Sequence, residues 1–171
     1  MDRLDRIEEI LAKLSISQAK TEKQMKETDR KLKRVGELLG NIGRNQGDVA
    51  EEFFYNSLDK NKTIGDITYD YIDKNLNRKI GKLKGEYDIA LINGKDIAII
   101  ETKYKLNEND LDKFLNKQYP AFKQLYPEYA NYNHHLALAS FHINDDLKEK
   151  VLEKGVIVLQ RSGDVMVTSL P

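Results

Sequence analysis

Cysteine is absent from the 171 residues, which excludes disulfides, thiolate zinc sites and cysteine nucleophiles together and favours an intracellular setting. An excess of one charge is missing too, since Lys+Arg and Asp+Glu each number 28 and the isoelectric point is near 6.8. Such a chain lacks the basic footprint of a nonspecific nucleic-acid coating protein, whereas an enzyme working through a local patch and a metal does not need one. No apolar run is long enough to cross a membrane, and the opening MDRLDRIEE lacks the apolar core of a signal peptide. A cytoplasmic protein without a membrane partner is expected. No phosphate-binding glycine loop, Ser-His-Asp order or nucleotide fingerprint occurs. The length accommodates one ordinary domain and an appendage.

Neither glycine nor proline precedes Gly36, and apolar residues recur every seven positions over that stretch. Leu4, Leu11, Gln18, Met25, Leu32 and Leu39 share one heptad position, and Ile7, Leu14, Thr21, Thr28, Val35 and Ile42 share the position three residues later. Six heptads in phase predict a coiled-coil helix over residues 1–42, with a narrow seam that favours a partner helix. From Leu4 to Leu39 the helix would run roughly 54 Å. Leu at the first position with Ile, Leu or Val at the second leaves both dimer and tetramer open, and the polar seam residues Gln18, Thr21 and Thr28 should weaken the assembly while fixing its register. Gly36, Gly40, Gly43 and Gly47 then predict that the helix ends or bends between Leu39 and Asn45, ahead of an α/β domain over residues 43–171.

In that domain a short helix is expected from Asn45 or Gly47, with Val49, Ala50, Phe53, Phe54 and Leu58 as its apolar face. Alternation predicts a first strand over Lys62–Asn75, and two more over Lys84–Ile92 and Lys95–Lys105. Asn107 and Asn109 are caps for a helix that Pro120 should kink or split. Strands over Leu136–Phe141, Val156–Gln160 and Val165–Ser169, and a helix over Asp145–Glu153, complete the order αβββαβαββ.

Asn93-Gly94 is the strongest hairpin signal in the chain. A two-residue loop there pairs Ile92 with Lys95, Asp88 with Ile99 and Glu86 with Glu101. Glu86, Asp88, Ala90 and Ile92 then share a face with Ile97, Ile99, Glu101 and Lys103, apolar near the turn and charged at the far end. Asp88 and Glu101 become diagonal neighbours, roughly 7–8 Å apart at the backbone, a gap that two side chains close around one cation. The run DIAII from Asp96 is apolar on both faces beyond its first residue, as in a central covered strand, and acids at the end of such a strand are costly unless paired or metal-bound.

Asp88, followed across a hairpin by Glu101-Thr102-Lys103, resembles the D…(D/E)XK signature of the PD-(D/E)XK nuclease superfamily, the fold of restriction endonucleases and archaeal Holliday-junction resolvases. That superfamily is built on the order αβββαβ, so the resemblance implies a restriction endonuclease-like core with a mixed sheet. It also implies Asp88 and Glu101 as ligands of Mg²⁺ or Mn²⁺, with an oxygen from the Thr102 carbonyl, and Lys103 orienting the attacking water. In the resolvase-like branch a first-helix glutamate lies four residues after a glycine; Gly47-Asp48-Val49-Ala50-Glu51 matches, making Glu51 a further ligand, with Glu52 as the competing choice. Tyr87 stands where the name-giving proline would be, Glu86 is either an added ligand or a spectator, and Gln118 lies on the helix where some branches place a glutamine near the site.

The densest basic stretch, RKIGKLK, offers Arg78, Lys79, Lys82 and Lys84 as DNA phosphate contacts or as a solvated strand and loop. His134 and His135 are adjacent, hence on opposite faces of a strand, and with His142 they are read as structural. The resemblance thus implies a metal-dependent nuclease that hydrolyses DNA by metal-activated water, and the heptads of residues 1–42 imply that it assembles as a homo-oligomer. The alternative is a catalytically silent scaffold of the same fold that binds DNA or a protein.

Overall fold

A computed structural model describes residues 2–171. The first helix, α1 (Arg3–Lys60), runs unbroken through all four glycines, so the break expected between Leu39 and Asn45 does not occur. Each internal glycine costs a helix about 1 kcal/mol relative to alanine, which weakens but does not stop it in the absence of proline. Moreover, its C-terminal turns are held by tertiary packing, with Ala50, Phe54 and Leu58 fully buried. Two compact units divide within this helix, one up to Arg44 and one over Asn45–Pro171. In the first unit Leu4, Ile7, Leu11, Leu14, Met25, Leu32, Val35, Leu39 and Ile42 are all exposed. Thr21, a polar seam residue, donates its hydroxyl to the Ser17 carbonyl at 3.0 Å and so satisfies itself within its own helix.

The second unit is an α/β domain around a mixed six-stranded sheet. A small hairpin, β1 (Thr63–Ile64) and β2 (Ile67–Thr68), precedes the sheet strands β3 (Tyr71–Ile80), β4 (Leu83–Ile92), β5 (Asp96–Lys105), β6 (Asn133–His142), β7 (Ile157–Ser162) and β8 (Val165–Ser169), which lie side by side in chain order. Pairing is antiparallel from β3 to β5, parallel from β5 to β7 and antiparallel at β8. The single strand expected over Lys62–Asn75 is instead the small hairpin plus the start of β3, because Gly65, at φ +58°, turns the chain back.

Phe54 and Leu58 of α1 pack on one sheet face, against Ile89, Leu91, Ala98 and Ile100. The other face is covered by α2 (Glu108–Lys113), a π-helical turn (Phe114–Gln118), α3 (Tyr119–Leu125) and α4 (Asp145–Glu153), through Leu111, Phe114, Phe122 and Val151. Strand β5 is therefore buried continuously from Asp96 to Thr102. Each of these large apolar side chains contributes about 1.5–3 kcal/mol by leaving water.

The Asn93 turn is wider than expected. Ile92 pairs with Ile97, three residues separate β4 from β5, and Gly94 is not among the residues with positive φ. The Asn93 side-chain oxygen accepts from the Lys95 and Asp96 amides at 2.9 and 2.6 Å, and this local bonding replaces the two-residue turn. The register consequently moves by two residues from the expected one. An even shift keeps the side chains of Ile89–Ile92 and Ile97–Ile100 on their expected faces, whereas Tyr87 leaves its expected face for the one that holds Ala90 and Ile92.

Candidate functional site

Strand β4 loses regularity at Asp88. Its pairing with β3 skips the position where Asn75 opposes Asp88, and its pairing with β5 stops at Ile89 with Ile100. Asn75 has φ +54°, a left-handed conformation that asparagine tolerates better than most residues. Across this irregularity the inward side chains change face: Tyr87 joins the core under α3, and Ile89 joins the one under α1. Asp88 is thereby freed from the ladder. Its Oδ2 accepts from the Thr102 amide at 2.7 Å and from the Thr102 hydroxyl at 2.8 Å, which fixes the carboxylate at the end of the paired region. In a strand the N–H and C=O of one residue point to the same edge, so the Thr102 carbonyl is directed toward the same gap.

Glu101 lies one residue earlier on β5 and is 6% exposed. Burial raises its pKa, and the charge of Asp88 raises it further; Lys103 and a hydrogen bond from Gln118 oppose the rise without cancelling it. Lys103 donates to Glu101 Oε1 at 3.1 Å. For the Lys103 ammonium, burial works against the charge, but Glu101, Asp110 and Asp88 outweigh it and the pKa is raised, so the side chain stays cationic. Glu51 on α1 is half-buried and feels the same pair: burial raises its pKa first, then the charge of Asp88, while Lys74 lowers it and Asp48 and Glu101 add to the rise. Glu52 is exposed. The structure thus brings Glu51, Asp88, Glu101 and Lys103 into one electrostatic neighbourhood, with Thr102 as the anchor of Asp88.

Among the described residues no three His, Asp or Glu side chains converge closely enough to cage a metal ion on their own. The donor set nevertheless fits Mg²⁺ or Mn²⁺. The charge of Asp88 raises the cost of ionising both Glu51 and Glu101, and Mg²⁺ is commonly held by one or two carboxylates with water and substrate oxygens completing the shell.

The basic stretch forms the tip of the β3–β4 hairpin, turned at Gly81 with φ +61°. Arg78 is engaged inside the fold, donating to the Leu125 carbonyl at 2.8 Å, pairing with both oxygens of Glu128 and lying 4.0 Å from the Tyr126 ring centre. Lys84 pairs with Glu86, while Lys79 and Lys82 are exposed. His134 hydrogen bonds to the Tyr119 hydroxyl and to the Tyr129 carbonyl, His135 bonds to Asp96, and His142 packs edge-on against Tyr104.

A cleft of about 600 Å³ opens beside Asp88 and Glu101, lined on one side by Leu83–Asp88 and on the other by residues from Lys113 to Gln124. Of its second wall only Gln118 was expected near the site, and it lines the cleft. Pro120 has no N–H to give the Asn116 carbonyl, and the Tyr119 amide reaches back instead to Phe114, which widens the helix by one residue. The Tyr87 hydroxyl donates to the Gln118 carbonyl at 2.9 Å and ties this turn to β4. Pro120, four residues after Asn116, was the available signal.

A stability prediction follows from the buried acid. A carboxyl whose folded pKa is raised binds its proton more tightly folded than unfolded, so stability falls as pH rises from the ordinary carboxylate value through the raised one. Glu101→Gln removes that loss. In EDTA its melting temperature should gain on the unaltered protein across this window, and a difference that is constant with pH would contradict the assignment.

No family model and no curated protein matches the sequence. Among solved structures, protein VC1899 from Vibrio cholerae is similar over 65% of this chain, at 19% sequence identity and a TM-score of 0.42. The chain spans 28% of that protein's length.

Proposed function

We propose that this protein is a metal-dependent nuclease with a restriction endonuclease-like core, acting on DNA. The observation that carries the reading is the convergence of Asp88, Glu101 and Lys103 at the point where β4 leaves β5, with the half-buried Glu51 of α1 feeling the charges of Asp88 and Glu101. The order of α1, β3, β4, β5, α2–α3 and β6 supports it, being the αβββαβ order of the superfamily that the motif resembles.

Asp88, Glu101 and the Thr102 carbonyl would hold a Mg²⁺ or Mn²⁺ ion, which when bound supplies charge neutralisation at the phosphate and a more acidic water. Thr102 keeps Asp88 aimed by two hydrogen bonds to one carboxylate oxygen and leaves the other for ligation. Lys103 offsets negative charge growing on the phosphoryl oxygens and orients the attacking water; its raised pKa keeps it protonated for that task. Glu51, with its pKa raised, is suited to accept a hydrogen bond from that water. The burial of Glu51 against the exposure of Glu52 gives the test. Glu51→Gln should slow divalent-dependent cleavage of DNA, and Glu52→Gln should leave it near the unaltered rate; the reverse order would remove Glu51 from the mechanism.

The apolar heptads exposed on α1 are proposed to pair with further copies of the chain, bringing two or more sites to one nucleic acid. Light scattering should find the full chain oligomeric at micromolar concentration and a variant starting near Asn41 monomeric. A monomeric full chain would defeat the proposal, and an oligomeric truncation would move the interface into the α/β domain.

A further inference from the structure

Strand β4 extends well past the end of its pairing with β5. Beyond Ile89 it continues back to Leu83 paired to β3 alone, while β5 continues to Lys105 paired to β6. Alternate backbone N–H and C=O groups of Leu83–Asp88 therefore point into the cleft without a strand partner. Opposite them the exposed lysines Lys113 and Lys117 border the cleft, and neither pairs with a carboxylate among the described residues. Asn116, held by Asp112 at 2.6 Å, and Gln124 add amide groups. The acids of the cleft gather at the Asp88–Glu101 end, and Glu86 is already paired with Lys84.

We infer that this cleft binds one unpaired nucleic-acid strand and leads it to Asp88 and Glu101, so that the substrate is single-stranded or frayed rather than continuous duplex. The inference rests on the nuclease reading and narrows its substrate class. A volume of about 600 Å³ falls within the ~300–1,000 Å³ of sites that enclose a single small ligand, a size that matches one strand. Lysines on one wall and free backbone N–H groups on the other suit the two sides of a phosphodiester chain. Side-chain amides suit base edges, which only an unpaired strand exposes in full. The basic β3–β4 tip lies on the same hairpin, and its Lys82 precedes the cleft wall directly.

The test is fluorescence anisotropy of the full chain in EDTA, where hydrolysis is blocked, with a labelled single strand of about 12 nucleotides and its blunt duplex. The strand is expected to bind at least ~10-fold more tightly than the duplex, and Lys113→Gln with Lys117→Gln to lose ~10-fold or more of that affinity, with a shallower salt dependence because two phosphate contacts are gone. Both lysines are exposed, so the double variant should melt like the unaltered protein. Equal affinity for strand and duplex, or an unchanged double variant, would overturn the inference. Cleavage in Mg²⁺ or Mn²⁺ is scored separately on the same two substrates. Cleavage that persists with duplex preferred removes the strand-binding cleft and leaves the nuclease reading standing. Strand binding that depends on Lys113 and Lys117 without any cleavage removes the nuclease reading instead.

Discussion

Lys103→Ala is expected to slow phosphodiester cleavage at least ~10²-fold, the scale of removing one key electrostatic stabiliser from a reaction site, while metal binding and most DNA affinity survive. The side chain is half-buried, its pKa is raised by the neighbouring carboxylates against the opposing effect of burial, and its ammonium lies 3.1 Å from Glu101. It cannot ligate a cation, so its loss separates chemistry from binding. A second consequence sharpens the test. Without Lys103, Glu101 loses the positive charge that lowers its pKa, so any residual cleavage should need a higher pH. Rates measured at saturating metal and DNA across a pH series check both points, and undiminished cleavage would remove Lys103 from the mechanism.

The second large effect concerns the carboxylates. Asp88→Asn and Glu101→Gln are each expected to abolish Mn²⁺ binding by calorimetry, because each replaces a charged oxygen donor with an amide in a site that offers few of them. The two variants should differ in stability. Asp88 anchors the end of β4 through the amide and hydroxyl of Thr102, and asparagine keeps one acceptor oxygen but loses the charge that strengthens both bonds. Glu101→Gln relieves a buried charge and should melt higher at neutral pH in EDTA, with metal binding lost all the same. Retained Mn²⁺ affinity in both variants would place the metal elsewhere or nowhere.

Much of this architecture was legible in the sequence because its signals are local. The periodic runs fix α4 at Asp145–Glu153 and β8 at Val165–Ser169, and Asn107 caps α2 through a reciprocal bond pair with Asp110. Where the reading missed, a non-local or side-chain effect prevailed. Glycines that break isolated helices did not break α1, whose last turns are held by the burial of Phe54 and Leu58. Asn93 widened a turn whose two central residues pointed to a tighter one. The register error was even, so Asp88, Glu101 and Lys103 could be grouped correctly on the wrong pairing. The cleft was out of reach of a linear reading. It depends on where β4 parts from β5, on the left-handed Asn75 opposite Asp88, and on a π-helical turn that Pro120 imposes in a distant segment. Arg78 illustrates the opposite error, a basic residue in a basic run that the fold spends on Glu128, Tyr126 and the Leu125 carbonyl.

The most direct measurement incubates the full chain and Lys103→Ala side by side with a mixture of single-stranded, duplex and branched DNA, in Mg²⁺, in Mn²⁺ and in EDTA. Strand scission by the unaltered protein in the divalent lanes, absent in EDTA and strongly reduced in Lys103→Ala, is the expected result. No scission of any substrate in either metal, or scission that EDTA leaves intact, would contradict a metal-dependent nuclease.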